Sequence, residues 1–528
     1  MKNKKIYIYD TTLRDGAQSE GISFTIKDKI RIARKLDELG IDFIEGGWPG
    51  SNPKDDEFFR IAGKELCLKK AKLVAFGSTR RADTSPGSDV VLKGLLKSNT
   101  DYLTIFGKSW DLHVKSVLKT SFKENLEMIE DSVRYLTKKG RKVFFDGEHF
   151  FDGYRDNPKY ALDTLKAAEQ GGAKALILCD TNGGMLTSSI FEIIEEVKDV
   201  VKVPLGIHVH NDADMAVANS VAAVQAGCVH VQGTFNGYGE RCGNANLVSI
   251  IPTLKFKLNV DCLEPFAFRE LTEASHYISE IANVKQQDSQ PYVGKSAFAH
   301  KAGVHVNAIL KNSKSYEHMD PSKVGNKRRM LISELSGKSS IIDKAGEMGL
   351  KMEKTSPEAK KILSYVQDLE KDGYQFELAE ASLMLLMQRA SNIFKKNFEI
   401  EDFRVIVEKR GDSPLLSEAT LKLKVGDKFR HTVSLGDGPV HALDQALRKA
   451  LIEFYPSLKE MHLSDFRVRV LDEKSATAAK VRVLVQSQDR TDSWWTVGVS
   501  ENIIEASWLA LLDSIEYKFF KDRKHKKK

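Results

Sequence analysis

The first half of the sequence predicts a closed (β/α)8 TIM barrel, on three observations. Short apolar runs alternate with segments of helical period, eight such repeats fit before residue 265, and reactive polar residues gather just after the apolar runs, at the carboxyl ends of the expected strands. An open doubly wound sheet would explain the strands but not why polar groups remote in sequence should converge.

The expected strands are "IYIYD" (6–10), "DFIEGG" (42–47), "KLVAFGS" (72–78), "YLTIFG" (102–107), "KVFFDGEH" (142–149), "ALILCDT" (175–181), "VPLGIHVHND" (203–212) and "HVQGTF" (230–235). The first intervening segment predicts a helix over 26–39. Thr25 with Asp28 three residues on is a capping-box signature, Ile30, Ala33 and Leu36 share a face, and Gly40 ends it. Past each strand the polar set appears: Asp10 and Arg14–Asp15 after the first, Glu148 after the fifth, Asp180–Thr181 after the sixth, His208 and His210 on the seventh, and "NGYGERCGNAN" after the eighth.

At 528 residues the chain exceeds what one core accommodates, and its 41% apolar and 29% charged residues mark a globular composition. We expect a barrel over 1–265, helical linker subdomains over 266–395, and a duplicated α+β domain over 396–528. The duplication rests on an internal echo: "TVSLGDGPVHALDQALRKAL" (432–451) and "TVGVSENIIEASWLALLDSI" (496–515) each read as strand, small-residue turn and amphipathic helix. The formal charge of +7 is concentrated in "KFFKDRKHKKK" from Lys518 onward, which reads as a solvated, frayed terminus and not as a nucleic-acid or membrane surface. Cys67, Cys179, Cys228, Cys242 and Cys262 show no C-x-x-C spacing, so neither a disulfide framework nor a zinc ribbon is expected. With no long apolar N-terminal segment and no membrane-length apolar run, a cytoplasmic location is expected.

Residues two apart on a strand point the same way, so His208 and His210 face one point, and Asp15 is the natural third ligand for a divalent ion such as Mg²⁺, Mn²⁺ or Zn²⁺. Arg14, beside Asp15, is placed to neutralise charge appearing on a carbonyl oxygen of a metal-held oxo-acid. Glu148, among aromatics, is a candidate to orient substrate or move protons, with Asp146 and Asp152 competing for that role. The glycines 237, 239 and 243 do not fit a dinucleotide fingerprint; they let backbone approach a ligand, while Asn244 braces or joins the metal site. His300, His305 and Tyr316 are polar donors available to lean over the barrel mouth.

With "TTLRDGAQ", "HVHND", "GERCGNAN", "HKAGVH" and the duplicated C-terminal domain in hand, the chain resembles the DRE-type TIM-barrel metal-dependent acyltransferases, the 2-isopropylmalate, homocitrate and citramalate synthases. The likeness covers nearly the whole length. Within the family, "GGWPGSNPKD", "FDGEHFFDG" and "CDTNGG" look like the citramalate branch. The resemblance implies a Claisen-type condensation of acetyl-CoA with pyruvate, then thioester hydrolysis to (R)-citramalate and CoA, a step toward isoleucine. It implies Asp15, His208 and His210 as metal ligands with Asn244 nearby, Arg14 on the keto oxygen, Thr181 on the carboxylate of pyruvate, and Glu148 in acid–base chemistry. His300, His305 and Tyr316 would assist, from a partner subunit of a homodimer, and the C-terminal domain would take an amino-acid effector, with isoleucine expected. The competing readings are another 2-oxo acid as acceptor (a 2-isopropylmalate or homocitrate synthase), a metal-dependent acyl-CoA lyase on the same barrel, and a non-catalytic amino-acid sensor.

Overall fold

The computed structural model describes residues 5–301, 303–331, 342, 344–346, 357–471 and 479–525. These form two compact units, Met1–Phe298 with Met319–Arg328, and Ala299–His318 with Arg329–Lys528.

The first unit is the barrel. Strands β1 (Tyr7–Asp10), β2 (Phe43–Gly47), β3 (Lys72–Ser78), β4 (Tyr102–Lys108), β5 (Lys142–Glu148), β6 (Ala175–Asp180), β7 (Leu205–Val209) and β8 (His230–Gly233) close in sequence order. Every pairing is parallel, and β8 returns to β1 with Tyr7 opposite His230 and Asp10 opposite Gly233. Around them lie α1 (Ile26–Leu39), α2 (Pro53–Glu65), α3 (Val90–Lys97), α4 (Phe122–Lys138), α5 (Pro158–Gly171), α6 (Thr187–Val197), α7 (Ala216–Ala226) and α8 (Leu247–Leu258). The cap expected for α1 is present in both directions between Thr25 and Asp28, and Gly40 ends the helix at φ +84°. Helices Pro265–Arg269 and Leu271–Ile281 lie in this same unit.

The strand period of two organises the interior. Tyr9, Phe43, Val74 and Phe144, with Ala175, Ile177 and Cys179 running along β6, form an apolar cluster inside the barrel, and the His230 ring stacks on Phe43 at 5.7 Å. One inward step along, the lining turns polar: Glu45, Thr104, Asp146 and Gln232 are buried and bonded across the barrel. The Tyr9 hydroxyl donates to Glu45 at 2.6 Å and meets Thr104 Oγ1 at 2.7 Å, while Gln232 Nε2 donates to Asp146 Oδ1 at 3.2 Å. The next inward positions reach the carboxyl ends of the strands and carry the candidate site.

The second unit contains two meanders, β9 (Glu399–Glu408), β10 (Leu416–Val425) and β11 (Lys428–Gly436), then β12 (His462–Val470), β13 (Val481–Gln488) and β14 (Ser493–Ser500). Each is followed by a helix, α9 (Pro439–Leu451) and α10 (Ile503–His525). The sequence echo is physical down to single bonds. Thr432 Oγ1 donates to Ala446 O at 2.9 Å, and Thr496 Oγ1, at the matching place, donates to Ala510 O at 2.7 Å. Between the two units' main bodies in sequence come helices Gly303–Lys311, Pro357–Lys371 and Glu380–Ala390, and a two-residue parallel pairing of Ala299–His300 with Arg329–Met330.

The basic tail corrects an expectation. The chain from Lys518 to His525 is not frayed but continues α10, because Lys518 and Lys521 bury their stems and give their ammoniums to Asp489, each at 2.8 Å. Residues 526–528 lie outside the described residues. Among the described residues no helix is long and apolar enough to cross a membrane.

Candidate active site

The turn after β1 is built by its own threonines and aspartate. Thr11 O receives three backbone N–H groups, from Arg14 at 3.2 Å, Asp15 at 2.9 Å and Gly16 at 3.1 Å. Asp10 accepts from Thr12 N and Thr12 Oγ1, both at 2.9 Å, and Thr12 Oγ1 accepts Phe235 N at 2.8 Å, tying the turn to the end of β8. Burial lifts the Asp10 carboxyl to about 7 against the pull of these bonds. Asp10 and the threonines are thus the frame, and Arg14 and Asp15 are the groups it presents.

Asp15, His208 and His210 are all buried, and one ligand atom from each lies within 4.8 Å of the others. His208 Nε2 is 3.4 Å from Asp15 Oδ2, which also accepts Asn244 Nδ2 at 2.7 Å. Burial would raise the Asp15 carboxyl, but Arg14 and the two histidines outweigh it and hold the group at about 2. Burial lowers both imidazoles, His210 to about 3, so the histidines are neutral with lone pairs to give. The tautomer of His208 is fixed from behind. Gln232 donates its Nε2 to Asp146 and turns Oε1 to His208 Nδ1 at 2.9 Å, so Nδ1 carries the hydrogen and Nε2 offers the lone pair.

This donor set fits a divalent cation. One carboxylate and two neutral imidazoles suit Mg²⁺, Mn²⁺ or Zn²⁺ and leave positions for substrate, and among the described residues two buried atoms of this cluster, His210 Nδ1 and Asn244 Oδ1, have no hydrogen-bond partner. Asn244 braces Asp15 through its amide nitrogen and keeps its oxygen free. One glycine of "NGYGERCGNAN" serves that residue: a Cβ on Gly239 would stand 2.0 Å from Asn244 Oδ1. What Gly239 admits closely is therefore the side chain of Asn244.

Arg14 is held on three sides. Its Nε donates to Glu45 Oε1 at 2.6 Å, Nη1 lies 3.4 Å from Asp15, and the guanidinium carbon sits 3.8 Å from the centroid of Phe76. Burial alone would weaken the cation, but Asp15 and Glu45 more than compensate. Phe76 belongs to an aromatic wall, stacked with Phe106 at 5.5 Å, with Trp48 edge-on to both. The sequence reading missed Glu45 and Gln232. Their signal was present, a carboxylate and an amide at inward positions of otherwise apolar strands.

Glu148 ends β5, with its side chain 24% exposed and bonded to the ammonium of Lys108. Its two competitors have other work. Asp146 lies in the buried polar layer, where desolvation, helped by Glu45, pushes its carboxyl well up. Asp152 is buried against His149 Nδ1 at 3.3 Å and Asn182 Nδ2 at 2.9 Å, fixing the loop in which His149 adopts φ +56°. Thr181 Oγ1 accepts His149 N at 2.9 Å, leaving its hydroxyl hydrogen for another acceptor. The charges share one neighbourhood: the Cys179 thiol, raised foremost by burial, is raised further by Asp146, Glu148 and Asp15 and opposed by Arg14.

His300, His305 and Tyr316 belong to the second unit. Within it His300 Nε2 is 3.2 Å from Glu317 Oε1, and the rings of His305 and Tyr316, both exposed, lie 4.2 Å apart.

Comparison with known proteins agrees with this architecture. Residues 5–278 match the HMGL-like family, 292–373 the homocitrate synthase post-HMGL domain-like family, and 377–519 the LeuA allosteric (dimerisation) domain. The (R)-citramalate synthase of Aquifex aeolicus is 54% identical over 98% of both chains, that of Geobacter sulfurreducens 55% over 98% of both. The 2-isopropylmalate synthase of Methanocaldococcus jannaschii is 30% identical over 97% of this chain and 94% of its own. A TIM barrel with these domains and this identity places the chain in the 2-isopropylmalate/homocitrate synthase family, in its citramalate synthase branch.

Proposed function

We propose that this chain condenses acetyl-CoA with pyruvate and hydrolyses the thioester, giving (R)-citramalate and CoA. The observation that carries the reading is full-length identity to citramalate synthases far above that to 2-isopropylmalate synthases, on a barrel mouth that holds Arg14 beside the Asp15, His208 and His210 cluster.

Asp15, His208 and His210 would hold the divalent cation, with Asn244 bracing Asp15. The cation, when bound, supplies Lewis-acid polarisation of the keto oxygen. Arg14, fixed by Glu45, faces the charge that builds on that oxygen as the new carbon–carbon bond forms. Thr181, its oxygen engaged by His149 N, donates its hydroxyl to the carboxylate of pyruvate. Glu148 takes a proton from the acetyl methyl, which is only weakly acidic and needs a placed base. The wall of Trp48, Phe76 and Phe106 limits the acceptor to a small side chain. His300, His305 and Tyr316, contributed by a partner subunit, assist the proton transfers.

In this reading residues 1–265 are catalytic, 266–395 link, and 396–528 form the effector and dimerisation domain. The protein works as a cytoplasmic homodimer on the route to isoleucine, with isoleucine as feedback effector. The match to an allosteric (dimerisation) domain supports the dimer and the presence of an effector.

The test is CoA release with Mg²⁺ or Mn²⁺ and acetyl-CoA, comparing pyruvate, 2-oxoisovalerate and 2-oxoglutarate with and without EDTA. EDTA-sensitive release selective for pyruvate is expected. Preference for another oxo-acid would keep the chemistry and overturn the acceptor, and no isothermal-titration signal with isoleucine would remove the effector.

A further inference from the structure

We propose that Lys108 is a positioning residue for the condensation, holding the carboxylate of Glu148 in the orientation from which it takes the proton. This rests on the acid–base role given to Glu148 above.

Lys108 closes β4 and Glu148 closes β5, and the parallel register sets them opposite each other. Both have the inward parity of their strands. Two and four residues before Lys108 come Phe106 of the aromatic wall and Thr104, bonded to Tyr9 inside the barrel; two before Glu148 comes Asp146, bonded to Gln232. The next inward step on each strand therefore rises to the mouth, and there the ammonium bonds Glu148 Oε2. The lysine is itself fixed. Its Nζ lies 5.3 Å from the Phe106 centroid, and its carbonyl accepts Asn125 Nδ2 at 2.9 Å, an amide that also donates to Tyr160 at 2.8 Å.

An exposed Lys–Glu pair between mobile side chains contributes little. This one differs in place and in rigidity: the side chains are 16% and 24% exposed and stand on adjacent strands of a closed barrel. The ammonium occupies Oε2 and leaves Oε1, the other oxygen of the carboxylate, to take the proton. In the step it serves, the methyl C–H bond of the thioester breaks and its proton passes to Glu148. The electron pair enters the enolate, whose carbon then bonds the keto carbon of the acceptor as the C=O π pair moves onto the keto oxygen, where Arg14 faces the charge. A carboxylate free to rotate would lose the alignment that makes such a transfer effective.

Lys108→Met and Lys108→Arg are compared with Glu148→Gln, reading kcat, the KM for each substrate and the exchange of acetyl-CoA methyl protons into D₂O. Lys108→Met is expected to lower kcat and methyl exchange by about tenfold or more, a part of the roughly 10²- to 10⁴-fold that a placed acid–base group supplies, with KM values nearly unchanged. Lys108→Arg, which keeps a cation on Oε2, should recover much of the loss, and Lys108→Met should add little in a Glu148→Gln background. Wild-type turnover in Lys108→Met while Glu148→Gln is inactive would overturn the role of the lysine alone. A loss confined to KM would make Lys108 a substrate-binding group and overturn it too. Full turnover in Glu148→Gln would instead overturn the acid–base reading beneath it. Should Lys108→Met fail to fold by circular dichroism, Lys108→Arg at wild-type kcat and exchange supports the proposal, and Lys108→Arg as impaired as Glu148→Gln overturns it.

Discussion

Gln232 Oε1 stands 2.9 Å from His208 Nδ1, and the same amide donates to Asp146, so a buried residue that cannot reach the metal position decides which nitrogen of His208 faces it. Partners of this kind are worth roughly 10- to 100-fold in metal affinity. Gln232→Leu is expected to weaken divalent-ion binding by about that factor, measured by isothermal titration with Mn²⁺. Affinity equal to that of the unaltered protein would show that His208 is oriented by other means.

The same logic applies to Arg14. Glu45 is wholly buried and accepts both Arg14 Nε and the Tyr9 hydroxyl at 2.6 Å. Glu45→Gln removes the charge that holds the guanidinium, and breaking a buried pair from one side costs about 3–5 kcal/mol. The expected result is a lower melting temperature together with a fall in kcat. A kcat unchanged at a lowered melting temperature would confine Glu45 to stability.

Phe106, stacked on Phe76 at 5.5 Å and edge-on to Trp48, narrows the space beside Arg14. One methylene in an apolar pocket discriminates by roughly 10- to 200-fold. Phe106→Ala should therefore shift specificity toward the larger acceptor, raising the ratio of kcat/KM with 2-oxobutanoate to that with pyruvate by about tenfold or more. A ratio that does not move would place the acceptor's side chain elsewhere.

The barrel was legible because its signals are local. All eight strand segments carry β-structure, and α1 begins and ends where Thr25, Asp28 and Gly40 say it should. His208 and His210 were legible because i, i+2 spacing on a strand fixes a shared direction whatever the tertiary setting. Glu45 and Gln232 showed as polar residues at inward strand positions, but their roles, like that of Lys108, were not legible, since those come from pairing across or between strands, and a single strand's sequence does not state its neighbour's register. The basic tail misled for a related reason. Its lysines look solvated until Asp489, remote in sequence, is folded beneath them.

That buried cluster makes the C-terminal unit acid-sensitive. Burial would raise the Asp489 carboxyl, but Lys518, Lys521 and Thr491 outweigh it and hold the group well below the usual carboxylate range. In the unfolded chain the same carboxyl returns to about 4. A depressed value in the folded state means that the unfolded state binds the proton more readily, so the contribution of Asp489 is fully present above pH ~4 and is lost as the pH falls below it. Thermal unfolding of the full chain, scanned from pH 6 to pH 3, should show the transition of this unit moving to lower temperature through the acid end of the range. In Asp489→Asn two buried ammoniums lose their shared counter-charge, at a cost of about 3–5 kcal/mol, so the variant melts lower at neutral pH and responds less to acid. Equal acid sensitivity in Asp489→Asn and the unaltered chain would assign the effect to other carboxylates and reduce the cluster to packing alone.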